Sequence, residues 1–185
     1  MYVVRNFFLQ KDNPDFATAR LLIDKMIGSQ PKNNALKTLQ QTVRNHTPIA
    51  HNSSVPKFAA YDINGKQVNN AMLAKADTAV VIAWATWNYN SVSMLQTVAQ
   101  IQKEKGSKMK VLGVCLDYSR SLCRTALRQR DMNDIPTVCD GKAVDGDVYN
   151  RLGMSNLPDN IVIEKGKVTA TGLTLEQLRK KLGKE

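Results

Sequence analysis

The sequence is poor in the residues that most redox and metal centres need. It contains only three cysteines, Cys115, Cys123 and Cys139, and these form no C-x-x-C pair and no zinc-ligand spacing. Its two histidines, His46 and His51, sit in a polar stretch far from any cysteine, so no metal site and no cofactor are expected. No run approaches the roughly 18 apolar residues that would span a bilayer. The N-terminal MYVVRNFFLQKDNPDF lacks the long apolar core and small-residue cleavage site of a signal peptide. Two origins fit that absence: a cytosolic chain, or one that starts after a removed leader. Aromatic residues make up only 6% and are not interleaved with basic ones, which argues against stacking on single-stranded nucleic acid. No nucleic-acid partner is expected.

What is present is enough for a packed domain. At 43% hydrophobic residues, the 185-residue chain can bury a core without a metal or disulfide staple. The net charge of +10 permits an acidic partner or an anionic surface and specifies neither. The lysines are scattered, with some excess at Lys180, Lys181 and Lys184, and read as solvated surface.

Periodicity divides the chain. Asn13-Pro14-Asp15 is a helix-start signal, and Phe16, Ala19, Leu22, Ile23, Met26 and Ile27 follow on one helical face. Gly28 to Pro31 ends that helix, and Leu36, Leu39 and Val43 stripe a second over about 34–44. Residues 46–56 (HTPIAHNSSVP) read as a polar linker, which places an N-terminal helical segment at 1–54 and a second domain at 55–185. In that domain, Lys57 to Ile63 reads as a strand, and Asn64-Gly65 as a hairpin turn before Lys66 to Val68. Thr78 to Trp84 and Met109 to Leu116 are continuous apolar runs, expected of strands covered on both faces. Helices are expected over 91–105 and 119–130, with a third strand at Ile135 to Cys139 and a short helix over 145–152. Asn160 to Glu164, the turn Lys165-Gly166, and Lys167 to Thr171 form a terminal hairpin, closed by a helix that Thr174 and Gln177 cap together. The fold class is α/β: a central, mostly parallel sheet with antiparallel edge strands and flanking helices.

Trp84-Ala85-Thr86-Trp87, at the end of a buried strand, resembles the W-A-[ST]-W-C-x-x-C turn of the TlpA/ResA-like branch of the AhpC/TSA–thioredoxin superfamily. Val55 to Phe58 resembles its entry strand, Asp62 to Val68 its first hairpin, and Val111 to Asp117 its "V-x-G-V-S-x-D" strand. Leu157-Pro158 and the following NIVIEKGKV are similar to its cis-proline and terminal hairpin, and Pro136 to Gly141 to a segment of envelope members. The resemblance covers about residues 55–185 and implies a thioredoxin-like fold in a periplasmic or cell-envelope protein. Residues 13–45 resemble the segment that joins an N-terminal β-rich domain to the thioredoxin domain in some anchored lipoproteins. This chain would then be a piece of a longer protein, its membrane anchor lying outside it.

The departure from that pattern decides the chemistry. Aligned on Trp87, the two motif cysteines fall on Asn88 and Ser91. Thiol–disulfide exchange needs a thiolate at the helix N-terminus and a second thiol one turn on. An amide and an unactivated hydroxyl supply neither, so no catalytic residue is assigned there. What they can do is cap the helix. A peroxiredoxin reading fails equally, because no thiol follows Thr86 in this turn.

The resemblance implies a polypeptide-binding groove at Trp87, Asn88, Tyr89, Asn90, Leu157 and Pro158. Trp87 and Tyr89 are either flat contact surfaces within it or plain packing and loop residues. The partner would be a polypeptide or envelope protein. Arg120, Arg124 and Arg128 recur every four residues without acidic partners on their helix, forming a basic stripe that is either solvated surface or a dock for an anion. The three cysteines read as buried packing, since a thiol in an apolar strand behaves as a small hydrophobe. Cys139 ends a strand that, by the resemblance, lies beside that of Cys115. The expectation is therefore a redox-inactive binding or structural module, with a thiol–disulfide oxidoreductase using a non-standard cysteine pair as its alternative.

Overall fold

The computed structural model describes residues 2–4, 7–8, 16–45 and 49–183, divided between a helical unit (1–48) and an α/β unit (49–185). The helix-start signal at 13–15, His46 and Lys184 lie outside the described residues.

In the helical unit, α1 (Tyr2–Val4) is a single turn, followed by α2 (Phe16–Ser29) and α3 (Asn34–Asn45). Ala19 and Ile23 of α2 pack with Leu39 and Val43 of α3 and with Val4, at the spacing that brings side chains onto one helical face. The Asn33 side-chain oxygen accepts from Leu36 N at 3.2 Å and caps α3.

The α/β unit begins with β1 (Ala59–Tyr61) and β2 (Gln67–Asn69), an antiparallel hairpin. Asp62 closes its turn by accepting from Asn64 N and Lys66 N, both at 2.8 Å. Then come α4 (Asn70–Ala74), β3 (Thr78–Trp84), α5 (Tyr89–Lys105), β4 (Met109–Cys115) and α6 (Arg120–Gln129). The chain ends with β5 (Thr137–Val138), α7 (Asp147–Arg151), β6 (Asp159–Glu164), β7 (Lys167–Thr171) and α8 (Leu175–Lys181). The sheet order is β5-β4-β3-β6-β7. The first three strands pair in parallel, and β6 runs antiparallel to both β3 and β7. Only β6 is reversed.

Strand alternation builds two cores. Val80, Ile82 and Trp84 of β3 face one side with Leu95 and Val98 of α5, while Ala79, Val81 and Ala83 face the other with Phe58, Val148 and Leu152. Both faces are covered, which is why β3 reads as an unbroken apolar run.

Three expectations change in detail. The 57–63 strand is reduced to β1 (Ala59–Tyr61), which pairs with β2. The 135–139 strand is reduced to Thr137–Val138, where Pro136 has no N–H to extend the ladder; the Thr137 carbonyl accepts from Ile63 N at 2.8 Å. The stretch read as a polar linker is tied to β7 from residue 52 onward. Asn52 N donates to Val168 O at 2.7 Å and Val168 N to Ser53 O at 2.9 Å, and Ser54 bridges Lys167. An open edge at β7 offers unpaired backbone groups, and this polar segment satisfies them. Among the described residues, no helix is long and apolar enough to cross a membrane.

Candidate functional site

The strongest sequence motif sits where β3 passes into α5. Asn88 is the N-cap, in extended conformation, and its side-chain oxygen accepts from Ser91 N at 2.8 Å. Ser91 is fully buried. Its hydroxyl accepts from Ala85 N at 3.1 Å and donates to Asn88 O at 2.8 Å, tying the strand end to the first helical turn. Both residues at the motif's thiol positions are thus occupied with backbone groups. Among the described residues, the Ser91 hydroxyl meets backbone groups of Ala85 and Asn88 and no side-chain base.

Asn88 faces the Leu157–Pro158 loop. Its amide nitrogen lies 3.5 Å from Leu157 O, and the Leu157–Pro158 peptide is cis. Beside this joint lies a groove of about 380 Å³, lined by Asn90, Ser93, Met94, Asn156, Pro158 and Leu173 among others. The sequence-named set therefore separates into three. Asn90 and Pro158 line the groove, while Asn88 and Leu157 form the joint next to it. Trp87 and Tyr89 stand out into solvent, 70% and 84% exposed.

Two buried carboxylates that sequence reasoning did not single out organise these loops. Asp159, directly after Pro158, accepts from Ser155 N at 2.9 Å, Asn156 N at 3.3 Å and Asn160 N at 2.8 Å. Burial raises its pKa above the usual carboxylate range, and the three N–H donors only partly oppose that. Asp117, past the end of β4, accepts from Thr86 N at 3.2 Å and from the Thr86 hydroxyl at 3.1 Å. It thereby clamps the turn that carries Trp87. The next residue, Tyr118, is 82% exposed and belongs to the same end of the sheet.

Asp117 also reaches the cysteines. Cys115 Sγ donates to its carboxylate at 3.3 Å, and Cys139 Sγ donates to its backbone carbonyl at 3.4 Å. Parallel pairing of Val114 with Val138 sets Cys115 beside Cys139, and the inward face of α6 adds Cys123. All three are buried free thiols, with sulfur atoms within 4.8 Å of one another. The spacing that offered no metal set in sequence becomes a three-sulfur cluster in space. Hydrogen bonds from Cys115 and Cys123 hold the Cys139 pKa well below the usual thiol range. The Gly141 N–H and the Arg120 guanidinium support that shift, while burial opposes it. Cys115 is pushed up by its hydrogen bonds to Cys123 and Cys139 and by burial. Cys123 is also raised: the Cys115 hydrogen bond lowers it, but Cys139 and burial outweigh that.

The arginine stripe is partly engaged. Arg120 Nε donates to Cys139 O at 2.7 Å, and Arg124 donates to Ile63 O. Two of the three guanidiniums brace loops against α6, although Arg120, Arg124 and Arg128 all keep exposed surface.

A sheet of this order, with a helix start after β3 set against a cis X–Pro bond before β6, is the thioredoxin-like fold. Solved structures with the same fold carry names from thiol–disulfide chemistry. The C-terminal domain of a protein described as a thiol-disulfide oxidoreductase from Bacteroides thetaiotaomicron is 24% identical, with TM-score 0.61, over 72% of this chain and 93% of its own. A thiol-disulfide oxidoreductase from Bacteroides fragilis is 23% identical, with TM-score 0.61, over 70% of this chain and 97% of its own. The thioredoxin domain of a thiol-disulfide oxidoreductase from Bacteroides vulgatus is 18% identical, with TM-score 0.59, over 73% and 99%. At these identities the likeness establishes the fold. No family profile matches the sequence, and no curated protein matches it.

Proposed function

We propose that the α/β unit is a polypeptide-binding module that holds an extended chain against the Trp87–Tyr89 turn and the Pro158 loop without exchanging disulfides there. The observation that carries this reading is the commitment of Asn88 and Ser91 to backbone capping, while the aromatic residues flanking Asn88 stay exposed. Rigid aromatic surface at low entropic cost is what a peptide groove needs. The Leu157 carbonyl offers main-chain pairing, as in strand addition. The cell-envelope location implied by the family resemblance belongs to the same proposal.

A reduced and alkylated insulin B chain is a suitable extended probe, read through Trp87 fluorescence and by calorimetry. Wild type is expected to bind it, and Trp87→Ala to weaken binding about tenfold or more, the size of effect an aromatic anchor gives. Equal binding by both proteins, or none by either, would refute the groove.

A second reading rests on the three clustered sulfurs: a thiol–disulfide enzyme with a displaced cysteine pair. Insulin reduction with dithiothreitol separates the two. A rate no faster than dithiothreitol alone supports the binding module. A faster rate that Cys115→Ser or Cys139→Ser abolishes supports the enzyme.

A further inference from the structure

We infer that Cys115, Cys123 and Cys139 form a binding site for one thiophilic metal ion, held by three sulfurs, and that monovalent copper is the ion it fits. The site is separate from the peptide groove and does not rest on it.

Two observations converge. The first is convergence of sulfur itself. The thiols come from β4, from α6 and from the residue after β5, yet their sulfurs lie within 4.8 Å of one another. Packing alone gives no reason to point three thiols at one spot, because S–H groups are weak hydrogen-bond partners and alanine or valine fills space as well.

The second is geometry. A metal–sulfur bond of about 2.3 Å places three trigonal sulfurs about 4 Å apart, inside the observed limit. Little movement is needed to close on an ion.

The donor count selects the ion. Zinc takes four ligands in structural sites. The group whose ligand atoms lie mutually within 4.8 Å contains no histidine and no carboxylate: Asp117 touches Cys115 Sγ at 3.3 Å but does not join it. All three cysteines are buried, away from bulk water. An all-sulfur, three-coordinate set suits soft monovalent copper. On binding, copper–sulfur bonds replace S–H bonds and the displaced protons leave to solvent, with no change of oxidation state.

The test is anaerobic titration of the fully reduced chain with monovalent copper buffered by bathocuproine disulfonate. Expected are withdrawal of one copper per chain from the chelator, thiolate-to-copper ultraviolet absorption that stops at one equivalent, and a first shell of three sulfurs by X-ray absorption. Cys115→Ser, Cys123→Ala and Cys139→Ser should each weaken binding at least tenfold. Ser29→Ala, exposed on α2 and outside the cluster, should not. Circular dichroism identifies any variant that has lost its fold, and such a variant is replaced by the other of Cys→Ser and Cys→Ala at the same position. Copper left on the chelator, or retained by the triple variant, would overturn the site. So would loss of two thiols to a disulfide in air that copper does not prevent. Zinc displacing copper at one equivalent would overturn the assignment of the ion. Peptide binding can fail or succeed independently of all these outcomes.

Discussion

At the scale of single residues, the turn into α5 was legible in one respect, because residue type alone decides whether a side chain can ionise as a thiolate or cap a helix. Asn88 and Ser91 exclude one at their positions, and their capping role follows from the same side chains. Asn88→Ala removes the cap of α5 and should lower stability by about 1 kcal/mol, read from the urea midpoint at unchanged slope. The buried carboxylates were not legible. Asp159 looks like any polar residue after a proline until folding brings three backbone N–H groups to it. Its raised pKa has a definite sign. The folded state holds the proton more tightly than the unfolded chain, so this residue's contribution to stability is complete below the unfolded carboxylate pKa. It is lost as pH rises through the folded value. Asp159→Asn keeps one acceptor and cannot ionise. The stability of this variant relative to wild type should therefore improve as pH rises across the carboxylate range. Urea unfolding of both proteins at a series of pH values checks the trend, and parallel curves would show that Asp159 does not titrate differently on folding.

At the scale of elements, turns and buried strands were readable because glycine, proline and continuous apolar runs report local geometry. The hairpins at Gly65 and Gly166, both with positive φ, match their sequence signals, and the Thr174–Gln177 capping box forms as its spacing predicts. Partnerships between strands were less readable. Cys115 and Cys139 meet because β5 pairs in parallel with β4, a contact that no local pattern encodes. Cys123 joins them only because its helical position turns inward. Gly113 marks the same crowded place. A Cβ on it would lie 2.7 Å from Thr137 Oγ1 and 3.1 Å from Trp84 Nε1, so β4 can carry only glycine beneath the indole. Gly113→Ala should destabilise by about 1–3 kcal/mol through overpacking. It should also red-shift or broaden Trp84 fluorescence in a Trp87→Phe background, where Trp84 is the sole indole. An unchanged midpoint would show that Thr137 and Trp84 can give way.

At the scale of the whole molecule, the sequence announced two parts through a change of period, from three-and-four spacing before residue 45 to strand alternation after residue 57. The position of the division was blurred by a polar stretch that looks like linker but pairs with β7 from residue 52 onward. Composition cannot show that pairing, since the donors and acceptors are backbone. The cores state the division more firmly. Among the described residues, the two clusters that sandwich the sheet draw on residues from Ile49 onward, and the helical cluster on residues up to Val43. A unit with a private core on each face of its sheet, and fewer than about 150 residues, meets the usual conditions for cooperative folding. A chain of residues 49–185 should therefore fold alone, with a single urea transition seen alike by far-ultraviolet circular dichroism and Trp84 fluorescence. It should also keep its three thiols unreactive toward Ellman's reagent until that transition, because the cluster lies wholly within this unit. Three thiols that react at once in the absence of urea would mean that these cores do not close without the first 48 residues, and the unit would then be part of a larger folding entity.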